Sequence, residues 1–78
     1  MIKDILGRTP KEKDKVVFNW NYWDGCYKLQ AGNIEAIAID CVYIEFDSKE
    51  YEYNEKTQKH DIEIIKKEIV KTKEFAIV

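Results

Sequence analysis

Apolar and polar side chains alternate on both sides of Asp24-Gly25 between Val16 and Gln30, and that dipeptide suits the two-residue turn of a β-hairpin. A two-residue loop there sets Trp23 opposite Cys26, Tyr22 opposite Tyr27, Asn21 opposite Lys28, Trp20 opposite Leu29 and Asn19 opposite Gln30. Strand alternation then places Phe18, Trp20, Tyr22, Tyr27 and Leu29 on one face. Asn19, Asn21, Trp23, Cys26, Lys28 and Gln30 fall on the other.

The pattern continues past this hairpin. Ala31-Gly32-Asn33 offers a second turn, and Ile34 to Phe46 reads as one long strand whose two faces are both too apolar for a wet side. Such a strand is either bent within a barrel or half covered by another chain. Asp47-Ser48-Lys49 suggests a bend, and Glu50 to Tyr53 resumes the alternation. Asn54-Glu55-Lys56-Thr57 is turn-like and returns the chain through Gln58 to Ile65, with Tyr53 opposite Gln58 and Tyr51 opposite His60. Ile69 to Val78 again alternates.

A competing reading makes residues 61–73 a helix packed on the sheet. Asp61 would be its N-cap and Glu63–Lys67 an i,i+4 ion pair. The β-branched run of Ile62, Ile64, Ile65, Ile69, Val70 and Thr72 favours a strand instead. The expected fold is therefore all-β, with five to six antiparallel strands forming a small open barrel or curled sheet over residues 15–78. An N-terminal arm or short helix occupies residues 1–14, where Ile2, Ile5 and Leu6 have helical spacing but Thr9-Pro10 interrupts.

Length and charge narrow the function. A chain of 78 residues makes one domain that buries only about 60–65% of its unfolded surface, leaving little room for both a core and an elaborate catalytic cleft. Net charge is +2 over residues 1–30, −6 over 31–65 and +2 over the remainder. An acidic middle disfavours nucleic acid, whose affinity rests on cationic contacts to phosphate. The N-terminus carries no secretory h-region, and no apolar run is long enough to span a bilayer, so a cytoplasmic location with no membrane role and reduced thiols is expected.

Chemistry-bearing groups are sparse. Cys26, Cys41 and His60 are the soft ligands, and no two stand at a zinc-type spacing. No nucleophile elbow, glycine-rich phosphate loop or EF-hand pattern is present, so neither catalysis, a metal nor a cofactor is expected. Trp23 stands apart, because the hairpin arithmetic sets this indole among amides and a lysine. Trp23, Asn19, Asn21, Tyr27 and Lys28 are accordingly the candidate binding residues. The leading expectation is a non-enzymatic protein-binding module, a small inhibitor or adaptor of a larger host protein such as a phage or mobile-element anti-defence regulator. A homodimer is compatible with this reading. The alternative is a small barrel that stacks single-stranded nucleic acid on its aromatics.

Overall fold

The structure is a computed structural model describing Met1–Val78. Its elements are β1 (Lys15–Trp23), β2 (Cys26–Ile37), β3 (Val42–Asn54), β4 (Lys59–Thr72) and β5 (Phe75–Ile77). They form one five-stranded antiparallel sheet in the order β4-β3-β2-β1-β5, and there is no helix.

Residues 61–73 are thus strand, apart from the turn at their end. Their charges pair across strands instead of along a helix. Lys66 Nζ lies 2.8 Å from Glu50, Lys67 Nζ 3.2 Å from Glu45, and Glu63 3.3 Å from Lys49 Nζ. Together with the β-branched side chains, these contacts favour the ladder over the helix.

The first hairpin turns at Asp24-Gly25 with Trp23 opposite Cys26, as expected, but only Gly25 is in the left-handed region (φ 75°), so the turn is not the type I′ that this dipeptide favours, which needs both residues there. Below the turn, Tyr22 is an extra residue. Asn21, not Tyr22, faces Tyr27, and the pairs continue as Trp20–Lys28, Asn19–Leu29 and Phe18–Gln30. A one-residue slip exchanges the faces of a strand. Lys28 and Gln30 therefore join Phe18 and Trp20, while Tyr27 and Leu29 join Asn19 and Asn21. The assignment of Tyr27 and Leu29 to the core is corrected accordingly.

Gly32-Asn33 is no turn, because β2 runs through it. A Cβ at Gly32 would lie 2.6 Å from Ile44 Cγ2 and 2.8 Å from the Glu45 carbonyl oxygen, so glycine is required there by the close approach of β3. The turn falls later, at Ala38–Cys41, where the Ala38 amide donates to the Cys41 carbonyl at 2.9 Å. It splits the long strand expected over Ile34–Phe46 into the end of β2 and the start of β3. The bend expected at Asp47–Lys49 is also absent, since β3 is continuous there. The last hairpin turns close to the expected place, but Tyr53 faces His60 and Tyr51 faces Glu63, with an irregularity between Glu52 and Tyr53.

The core sits on one face where the strands converge. Val16 and Phe18 of β1, Ile34 of β2, Val42, Ile44 and Phe46 of β3 and Phe75 of β5 are buried, with Ile2, Trp20, Val70 and Ile77 packed against them. Phe46 joins the sheet's aromatics edge-on, with ring centroids 5.2 Å from Phe18 and 4.7 Å from Trp20. Away from this centre, the β3–β4 ribbon projects with most of its side chains exposed, and the molecule measures 52 × 25 × 19 Å.

The sheet is neither closed nor strongly curled, so the barrel expectation is corrected to an open sheet. Closure would require β4 to pair with β5, but β5 is only three residues long and its outer groups are already engaged. The Ile5 amide donates to the Phe75 carbonyl at 2.9 Å, the Ile77 amide donates to Asp4 Oδ2 at 3.0 Å, and the Arg8 guanidinium donates to the Ile77 carbonyl. The N-terminal arm, which is a turn and not a helix, thereby seals one edge of the sheet.

Asp4 organises that seal. Its carboxylate also accepts the backbone amides of Leu6 and Arg8 and pairs with the Arg8 Nε at 2.9 Å. Burial pushes the carboxyl upward, but hydrogen bonds from Ile77, from the Arg8 backbone and side chain and from Leu6 outweigh it and hold the pKa at about 2. Further along, the Lys13 amide donates to the Ile34 carbonyl and the Ile34 amide to the Asp14 carbonyl, fastening the arm to β2.

Candidate functional site

The slip at Tyr22 divides the five residues singled out in the sequence. Asn19, Asn21 and Tyr27 share the face of the β1–β2 hairpin turned away from the core. Lys28 lies on the opposite face, with its Nζ 5.2 Å from the ring centroids of both Trp20 and Tyr22. Such cation–π contacts are worth about 0.5–1 kcal/mol at exposed sites. They engage Lys28 with its own chain. Trp23 is 73% exposed at the hairpin tip, and its pairing with Cys26 puts it on the Lys28 side by alternation.

Asn21 has a local task. Its carboxamide nitrogen, in the orientation its neighbours require, donates to the Cys26 carbonyl at 3.0 Å and to that of Trp23. It braces the irregular turn, leaving Asn19 and Tyr27 as the site residues on this face that are free of such duty.

Around those two the structure adds side chains that the expected register had hidden. Leu29 is 78% exposed beside Asn19, and Ile5 of the arm is 68% exposed. Together with Val17 and Ala76 they line a shallow apolar recess of about 160 Å³. A second, more polar recess adjoins it, formed by Tyr27 with Lys71, Thr72, Lys73 and Glu74, and the two share Asn19 and Glu74. The apolar recess arises because the arm docks on β5 while Leu29 is turned outward by the slip. No motif in the sequence marks it. An alternation shifted by one residue after Asp24-Gly25 would have found Leu29.

The remaining chemistry-bearing groups lie apart from this face. His60 packs edge-on against Tyr53 at the far end of the β3–β4 ribbon, centroids 5.4 Å apart, while Cys41 is buried at the Ala38–Cys41 turn and Cys26 is exposed near the hairpin tip. Comparison with protein-family models, with curated protein sequences and with solved structures finds no match.

Proposed function

We propose that this chain is a non-enzymatic protein-binding module, a small inhibitor or adaptor that docks a larger protein on the outward face of the β1–β2 hairpin. The observation that carries the reading is the exposure of Leu29, Ile5 and Tyr27 around the paired recesses. Apolar side chains grouped in a depression with a polar rim are the anatomy of a protein interface. In this arrangement Leu29 and Tyr27 are the anchors. Asn19, Lys71, Lys73 and Glu74 supply the rim, and the partner wraps the exposed hairpin tip to reach Trp23 on the opposite face.

The division of the five candidate residues favours protein over single-stranded nucleic acid. A stacking platform needs several exposed aromatics beside its cations along one track, whereas Lys71 and Lys73 have Tyr27 alone as the aromatic of this hairpin face and Lys28 is spent on Trp20 and Tyr22 on the other. The test compares partner capture by tagged chains. Leu29→Glu should abolish capture of a partner that the unaltered chain and Ile39→Glu, at an equally exposed turn position, both retain. Trp23→Ala should weaken it with the folded spectrum unchanged. Equal capture by Leu29→Glu and Ile39→Glu would refute the site. Micromolar binding of single-stranded oligonucleotides at physiological salt, falling steeply as salt rises, would establish the nucleic-acid reading instead.

A further inference from the structure

The two edges of the sheet are treated differently. The β5 edge is capped by Asp4, Ile5 and Arg8, while β4 presents 14 residues whose only ladder partner is β3. A long bare edge is a template for another strand, and natural edges are usually short or blocked. Lysines commonly serve as the block. On β4, however, Lys66 and Lys67 are drawn back across the sheet onto Glu50 and Glu45 of β3.

The order of residues on β4 decides which strand fits. Two antiparallel strands place residues opposite each other only when both turn their backbone groups the same way, so a two-fold axis between copies of β4 must pass through a residue. An axis through Ile65 sets Ile62 against Glu68 and Ile64 against Lys66. One through Lys66 sets Ile64 against Glu68 and Glu63 against Ile69, and one through Glu68 sets Ile65 against Lys71 and Lys66 against Val70.

The axis through Lys67 differs from all of these. It sets Lys66 against Glu68, Ile65 against Ile69, Ile64 against Val70, Glu63 against Lys71 and Ile62 against Thr72, so charge meets opposite charge and apolar meets β-branched over the strand. The side chains also sort by face. Ile65 and Ile69, 61% and 60% exposed, lie on the outward side, while Ile64 and Val70 lie on the side of the core. Glu68 and Lys71 make no ion pair in their own chain, so each is available to a partner strand. The single like pair, Lys67 against its twin, is relieved by Glu45 on either side of the axis.

We infer that two copies of this chain join through their β4 edges, antiparallel about Lys67, into one continuous sheet. The occupant of this edge is a second copy, because β4 is complementary to itself in that one register. The two surfaces meet at Lys71 and Thr72, which line the polar recess beside Tyr27 and also end the dimer ladder, while Ile5, Leu29 and Tyr27 lie outside it; the inference rests on β4 alone and not on the proposed function.

Disulfide trapping in a Cys26→Ser background, with sedimentation of the unaltered chain, tests it. Opposite residues of an antiparallel pair have Cα atoms about 4.5–5.5 Å apart, within disulfide reach. Lys67→Cys should therefore cross-link to its twin in a mild redox buffer. Lys66→Cys and Glu68→Cys should each fail alone, being about 8 Å from their own twins, yet cross-link when mixed. Sedimentation should show a dimer at tens of micromolar, weakened at least tenfold by Ile69→Lys, an exposed position whose change leaves the core intact. A monomer at every concentration up to 1 mM overturns the inference. So does a dimer indifferent to Ile69→Lys, or one that traps at another position, including a mixed species with a different protein on β4.

Discussion

Gly32→Ala is the sharpest test of how β2 and β3 meet. The backbone at Gly32 lies outside the left-handed region, so it would accept alanine on its own. The neighbours would not. The new Cβ would sit 2.6 Å from Ile44 Cγ2, 2.8 Å from the Glu45 carbonyl oxygen and 3.2 Å from Phe46 Cβ. Ile44 is fully buried and cannot rotate away, and the Glu45 backbone is held by the ladder to Asn33. Relief requires β2 and β3 to separate where Ile34, Ile44 and Phe46 pack.

Overpacking of this kind costs about 1–3 kcal/mol, and two of the three contacts involve atoms with no freedom to move, so about 2–3 kcal/mol is expected. A domain of this size holds on the order of 4–12 kcal/mol in all. The loss should appear as a fall of about 10–20 °C in Tm and as a lower urea midpoint with unchanged m-value. A change below about 0.5 kcal/mol would refute the close approach, and with it the placement of Gly32 within a strand.

Other substitutions probe separate parts of the structure. Phe46→Ala removes the ring shared by Phe18 and Trp20 and should cost about 3–5 kcal/mol by denaturation; a loss under 1 kcal/mol would show that the aromatic core is misplaced. Ser48→Ala should be neutral or stabilising by up to about 1 kcal/mol, because the buried Ser48 hydroxyl has no hydrogen-bond partner; clear destabilisation would reveal a hidden one. The Asp4 carboxyl titrates at about 2 when folded against 3.8 unfolded, so its contribution is present above about pH 5 and is lost as pH falls through 2. Asp4→Asn should flatten that acid limb and speed amide exchange at Leu6, Arg8 and Ile77, and an unchanged limb would contradict the clamp. A thiol reagent should modify Cys26 at once and Cys41 only on unfolding; equal rates would contradict the burial of Cys41.

What the sequence disclosed and what it hid divide along physical lines. β-branching marked residues 61–73 as strand, and Asp24-Gly25 marked its turn, because both signals are local, whereas the charges of the same segment read as a helical Glu63–Lys67 pair, their actual partners lying across the ladder on β3. Tyr22 as an extra residue was invisible, since a bulge leaves composition and turn chemistry untouched while exchanging every face below it. Gly32-Asn33 imitated a turn because glycine serves tight turns and close strand contacts alike, and only the position of Ile44 separates the two. The open sheet and the apolar recess both depend on the arm reaching β5, a contact between the two ends of the chain that no local pattern encodes. Leu29 looked like core because the slip at Tyr22 was hidden, and the candidate site was only partly legible, through Asn19, Tyr27 and Trp23.

The outward face of the hairpin exists only if Tyr22 is the extra residue, and the position of Lys28 reports this most directly. In a proton NMR spectrum, the Lys28 side chain, with its Nζ 5.2 Å from the centroids of both Trp20 and Tyr22, should be shifted upfield by ring currents and show cross-peaks to the Trp20 indole, while Leu29 shows contacts to Asn19 and none to Trp20. Unshifted Lys28 protons, with Leu29 against Trp20 and Tyr22 opposite Tyr27, would return Leu29 and Tyr27 to the core face and remove the proposed docking surface.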